Sequence, residues 1–161
     1  MSGGQDPRLG FMRRAIELSR LKMEASDGGP FGAVIVHAGV IIGEGWNRVV
    51  GSHDPTAHAE IVAIRDACTR LGTFRLAGTE IYTSCEPCPM CLAAILWARI
   101  DRMYFANTRA DAAAIGFDDA VFYDEVARPL DERSLPAERL LAEEAHAVFA
   151  DWMRKPDKVQ Y

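Results

Sequence analysis

Apolar side chains recur near a helical period over residues 7–25, at Leu9, Met12, Ala15, Ile16 and Leu18 or Leu21. The run stops at Asp27-Gly28-Gly29-Pro30, a strong breaker. The period then changes. Ala33-Val34-Ile35-Val36 and Val40-Ile41-Ile42-Gly43-Glu44 are short β-branched runs joined by His37-Ala38-Gly39, which predicts a hairpin. Residues 47–55 read as a loop. A second amphipathic helix is expected over 57–71, with Ile61, Ile64 and Cys68 or Leu71 along one side and Gly72 as its stop.

A strand over 79–84, a helix over 88–98 with Pro87 near its first position, and a strand over 102–106 follow. Helix–strand–helix–strand after a hairpin implies parallel strands with crossover helices. The fold class expected is therefore α/β, a three-layer α/β/α sandwich on a mixed sheet. Toward the C-terminus the pattern predicts a short helix at 117–125, a loop at 128–136 and a helix over 137–153.

Composition narrows the function classes. At 161 residues, 49% hydrophobic and 25% charged, the chain has the size and make-up of one globular domain. A net charge of −5 argues against nucleic acid as partner, although Arg8, Arg13, Arg14, Arg20 and Lys22 gather near the start. MSGGQDPRLG lacks a signal-peptide core, and the longest apolar run, at 92–98, is too short to span a bilayer. The expectation is a cytoplasmic protein without a membrane partner.

Among the four cysteines, Cys85, Cys88 and Cys91 stand three residues apart. In a reducing compartment such a trio suggests metal chemistry more than disulfides. Thr56-Ala57-His58-Ala59-Glu60 and Pro87-Cys88-Pro89-Met90-Cys91 each open an expected helix, and one helix–strand unit separates them. Both helix starts then fall at one sheet edge, where ligand sites of open α/β sheets form. His58, Cys88 and Cys91 would hold zinc with a fourth position open for water.

Glu60 distinguishes an open site from a closed one, because an activated water needs a group that takes and returns protons. Residues i and i+2 do not share a helix face. The pairing of His58 with Glu60 therefore places the helix start at Thr56 or Ala57. The joint pattern H-x-E…P-C-x-x-C is the signature of zinc-dependent base deaminases.

Pro30-Phe31-Gly32-Ala33-Val34, Asp54–Glu60, Thr83–Cys91 and Ala114-Ile115-Gly116-Phe117-Asp118-Asp119 resemble the bacterial guanine deaminases of the cytidine-deaminase fold. The resemblance runs from about residue 7 to Tyr161. It implies that His58, Cys88 and Cys91 hold Zn2+, that Glu60 shuttles protons, and that an activated water attacks C2 of guanine to give xanthine and ammonia. It also implies that Asn47, Phe31, Ala59, Trp97, Asp119 and Tyr161 contact the purine base.

Members of this family form domain-swapped homodimers. A single domain over 1–161 with residues 137–161 exchanged is the corresponding expectation here. A tRNA adenosine deaminase, a cytosine or triazine deaminase and a non-catalytic zinc-stabilised binding module are the alternatives. Cys85 is read as a buried thiol on the site floor, not a ligand.

Overall fold

A computed structural model describes residues 6–161. These form two compact units, the first ending at Asp119 and the second spanning Ala120–Tyr161. In the first unit α1 (Pro7–Glu24) leads into the hairpin β1 (Gly32–His37) and β2 (Val40–Trp46). A short α2 (Val49–Ser52), α3 (Ala59–Leu71), β3 (Thr79–Cys85), α4 (Pro89–Trp97), β4 (Arg102–Asn107) and α5 (Arg109–Ala114) follow. The hairpin turns through Ala38 and Gly39, both at positive φ, the geometry a tight two-residue turn requires.

The sheet order is β2-β1-β3-β4. β1 is antiparallel to both β2 and β3, and β3 is parallel to β4. Strands β2, β3 and β4 therefore point the same way, and α3 and α4 return the chain between them. This is the mixed sheet expected from the pattern. Successive residues of β1 alternate between two cores, as a pleated strand requires. Val34 and Val36 meet Leu18 of α1 and Tyr82 on one face. Ala33 and Ile35 meet Ala59, Ala63, Ala67, Ile81 and Ile95 on the other. The result is a helix layer, a sheet and a second helix layer.

The buried helix faces are not the ones that apolar bulk alone suggests. On α1 the buried residues are Ala15, Leu18 and Ser19, while Leu9, Ile16 and Leu21 are exposed. On α3 they are Ala59, Glu60, Ala63 and Ala67, with Ile64 and Cys68 packed at the margin and Leu71 exposed. The physical reason is close approach. A Cβ on Gly45 of β2 would lie 2.1 Å from the Ala59 carbonyl oxygen and 2.3 Å from the Ala63 nitrogen. The Gly-x-Gly of β2 and the Ala-x-x-x-Ala-x-x-x-Ala of α3 are two halves of one seam.

Element starts also differ. α3 begins at Ala59, not at Thr56 or Ala57, and α4 begins at Pro89 with Cys88 as its N-cap. A further helix, α5, was hidden by its shortness and is opened by a capping box between Thr108 and Asp111.

The second unit holds α6 (Ala120–Ala127), a 3-10 turn at Leu130–Glu132 and α7 (Ala142–Arg154). Both carboxylate oxygens of Glu125 accept from the Ser134 N–H at 3.0 Å. The helix expected from residue 137 starts at 142, because Leu141 takes a left-handed backbone that ends any upstream helical run. No residue of this unit is buried. No helix among the described residues is long and apolar enough to cross a membrane.

Candidate metal centre

The carboxyl ends of β2, β3 and β4 and the start of β1 share one sheet edge, so the residues leaving them converge there. The Asn47 N–H donates to the Phe31 carbonyl at 3.0 Å across the mouth of the hairpin. The Ser84 hydroxyl accepts from the Gly32 N–H at 2.9 Å, tying β3 to the same place. Against this edge stand the N-termini of α3 and α4, capped by His58 and Cys88 in extended conformation.

His58 Nδ1 lies 3.6 Å from Cys88 Sγ and 3.5 Å from Cys91 Sγ, and the three ligand atoms fall within 4.8 Å of one another. Zinc bonds of about 2.3 Å to sulfur and 2.0–2.1 Å to nitrogen, at a tetrahedral angle, give an S···N edge of about 3.6 Å. The donor set thus fits zinc in type and spacing. Cys85 is not part of it; its thiol donates to the Thr108 carbonyl at 3.6 Å. Burial first, and then the charges of Glu60, Glu86 and Asp119, push that thiol up to about 11.

The four groups pull one another in opposite directions, with Cys88 lowered and Cys91, His58 and Glu60 raised. The neighbouring Cys91 and then His58 bring the Cys88 thiol down to about 4, against the opposing effect of burial. Cys91 itself is held high, first by its neighbour Cys88 and then by burial. His58 is raised mainly by its bond to Cys88. Glu60, at the second position of α3, is buried, and that burial raises its carboxyl above the ordinary range. The geometric difficulty of His58 and Glu60 resolves itself in an unforeseen way. His58 precedes the helix with ψ 157°, so no shared helix face is needed.

The remaining candidates are placed as follows. Asn47 is buried, and its Oδ1 accepts from the Gly29 and Val49 N–H groups at 3.3 and 3.2 Å. Phe31 packs edge-on against Phe117, with ring centres 5.0 Å apart. Ala59 is the buried first residue of α3, a position whose N–H has no carbonyl within its own helix. Asp119 is largely buried and accepts from Arg109 Nε at 3.1 Å.

Trp97 is the last residue of α4, roughly 13 Å along the helix from Cys88. It is 60% exposed, with the Arg99 guanidinium 5.9 Å from its ring centre. Tyr161 belongs to the second unit and is 70% exposed. Glu86, Arg109 and the pairing of Phe117 with Phe31 escaped the sequence reading. Thr108-x-x-Asp111, a capping signature, was the available signal for the Arg109 turn.

A mixed α/β sheet presenting one imidazole, two thiols and a buried carboxyl defines a hydrolytic zinc site. The chain belongs to the family of cytidine and deoxycytidylate deaminases, whose zinc-binding region matches residues 7–107. A guanine deaminase of Bacillus subtilis is 48% identical over 151 residues, covering 94% of this chain and 97% of that one. The X-ray structure of a Bacillus subtilis guanine deaminase superposes with a TM-score of 0.92 at 47% identity, over 95% of this chain and 98% of the other. A tRNA-specific adenosine deaminase of Haemophilus influenzae is 46% identical over 115 residues, 68% of this chain and 66% of the relative.

Proposed function

We propose that this protein is a zinc-dependent guanine deaminase that converts guanine and water to xanthine and ammonia. The observation that carries the reading is the open three-donor group beside a buried Glu60, in a chain similar to a guanine deaminase over nearly its whole length. Zinc held by His58, Cys88 and Cys91 supplies the Lewis acidity that makes water a nucleophile near neutral pH. Glu60 takes the proton released as the C2–O bond forms and returns it to the departing amino group as the C2–N bond breaks. Its raised carboxyl suits both halves of that task.

The pocket chemistry matches a purine with acceptors on one side and donors on another. Two backbone N–H groups occupy Asn47 Oδ1, so this amide offers its Nδ2 as a donor. Guanine presents N7 and O6 as acceptors. Asp119 is an acceptor for the donor edge, and Phe31 with Phe117 provides flat apolar walls. Ala59 adds the backbone of the α3 start, and Trp97 and Tyr161 complete the enclosure on the family resemblance.

The partner reading is a homodimer in which residues 137–161 are exchanged and Tyr161 closes the neighbour's pocket. Its support is that the second unit buries none of its residues and exposes Leu135, Leu140, Val148 and Phe149. Large apolar groups left in water on that scale call for a covering surface. Guanine breakdown in the cytoplasm is the corresponding setting. The test is a substrate panel of guanine, adenine, cytosine, a triazine and tRNA, scored by ammonia release from zinc-loaded protein. Guanine turnover supports the reading; turnover of another member with guanine untouched overturns it.

A further inference from the structure

Arg109 takes no part in the zinc or proton chemistry, yet its surroundings are more tightly built than a surface arginine needs. The Glu86 N–H donates to the Asn107 carbonyl at 2.8 Å, and Glu86 Oε2 accepts from the Arg109 N–H at 3.1 Å. Thr108 and Asp111 bond reciprocally, and the Cys85 thiol reaches the Thr108 carbonyl. The first turn of α5 is thereby stitched to the segment that leads directly into Cys88. From this fixed backbone the guanidinium extends to Asp119, Nε to Oδ1 at 3.1 Å, with side-chain exposures of 35% and 18%.

We infer that Arg109 is a positioning residue that fixes the Asp119 carboxylate for recognition of the base. The inference rests on the reading of Asp119 as a base-binding group. Asp119 lies just beyond Gly116, a residue at φ 96°, on a segment that ends the first unit. Without a tether, an aspartate there samples several rotamers. Arg109 removes that freedom by engaging Oδ1. Among the described residues Oδ2 has no hydrogen-bond partner, so it is the oxygen left for a donor on the substrate.

Charge supports the same assignment. Glu60, Glu86 and Asp119 all act on the Cys85 thiol, so three carboxylates share one neighbourhood. The guanidinium counters the repulsion that would swing Asp119 outward. The bond is made before substrate arrives and does not change as guanine reacts, so it serves binding more than the chemical step.

The experiment is steady-state kinetics with guanine on zinc-loaded Arg109→Ala, Arg109→Lys, Asp119→Ala and the double variant Arg109→Ala/Asp119→Ala. A hydrogen bond to a charged group is strong enough that Arg109→Ala should raise KM about 10- to 100-fold. Its kcat and zinc content should stay close to those of the wild type, and Arg109→Lys should recover part of the loss because it restores the charge. The double variant should be no worse than Asp119→Ala, since one residue acts through the other.

An unchanged KM in Arg109→Ala beside a raised KM in Asp119→Ala overturns the inference and leaves the role of Asp119 standing. Additive losses overturn it as well. A silent Asp119→Ala removes the reading beneath it. Should Arg109→Ala lose zinc or melt early, Arg109→Met, which keeps the aliphatic stem, takes its place and is judged by the same KM criterion.

Discussion

Replacing Gly45 with alanine probes the seam that holds His58 and Glu60 in place. Its backbone lies outside the positive-φ region, so the cost is steric alone. The new Cβ would stand 2.1 Å from the Ala59 carbonyl oxygen, about 1.3 Å short of the 3.4 Å at which ordinary contact begins. Neither atom is on a flexible side chain, so α3 itself must retreat by roughly that distance. Overpacking of this kind costs about 1–3 kcal/mol. For a chain of 161 residues that is a fall in Tm of about 2–12 °C.

The catalytic consequence is larger than the thermal one. His58 caps α3 and Glu60 sits in its first turn, whereas Cys88 and Cys91 ride on α4. A shift of α3 alone stretches the 3.5 and 3.6 Å edges that match zinc. Misplacing reacting groups by about 1 Å can cost about 100-fold in rate. Thermal melting by circular dichroism, zinc content and kcat/KM with guanine on the same preparation measure all three effects. A Gly45→Ala protein with unchanged Tm and unchanged kcat/KM would refute the seam argument.

Three other outcomes follow from the same structure. Cys85→Ser should retain zinc, while Cys88→Ser or Cys91→Ser should lose it, as metal analysis after gel filtration will show. Arg14 grips Glu44 through two bonds of 2.7 and 3.0 Å, which holds the Glu44 carboxyl below its usual 4.5. Such a depressed group stabilises the fold above its unfolded value and loses that contribution as pH falls through the folded one. The stability of the wild type over Glu44→Gln should therefore be about 1 kcal/mol near neutrality and decline progressively as pH falls below 4.5, read from urea midpoints across pH. Deleting residues 157–161 should cripple guanine turnover without removing zinc; unchanged kinetics would argue against a closing role for Tyr161.

Much of this could be read from the chain because the ligands lie in short motifs at helix starts. A C-x-x-C at a helix start puts both sulfurs near one point, and a β-α-β unit on either side brings the imidazole to the same edge. The mixed character of the sheet followed from the hairpin and the crossovers, whereas the order β2-β1-β3-β4 came only from the structure. What sequence could not reveal depends on contact between distant segments. Arg109 meets Asp119, and Phe117 meets Phe31, only because loops converge over the sheet edge.

Helix faces were legible in part. On α1 the pattern included Ala15 and Leu18, which are buried, beside Leu9, which is exposed; on α3 it fell on Ile64, Cys68 and Leu71, whereas Ala63 and Ala67 carry the contact. Local propensity also failed over residues 137–141, where good helix formers adopt irregular backbone before α7 begins.

The central claim is that water is activated at a zinc held by His58, Cys88 and Cys91, with Glu60 moving the protons. It is tested most directly by guanine consumption, ammonia release and zinc content in wild type and Glu60→Gln. The wild type should yield one xanthine and one ammonia per guanine. Glu60→Gln should keep its zinc and lose about 100- to 10,000-fold in kcat, the range general acid–base catalysis supplies. A Glu60→Gln protein that retains zinc and turns over guanine at the wild-type rate would contradict the account.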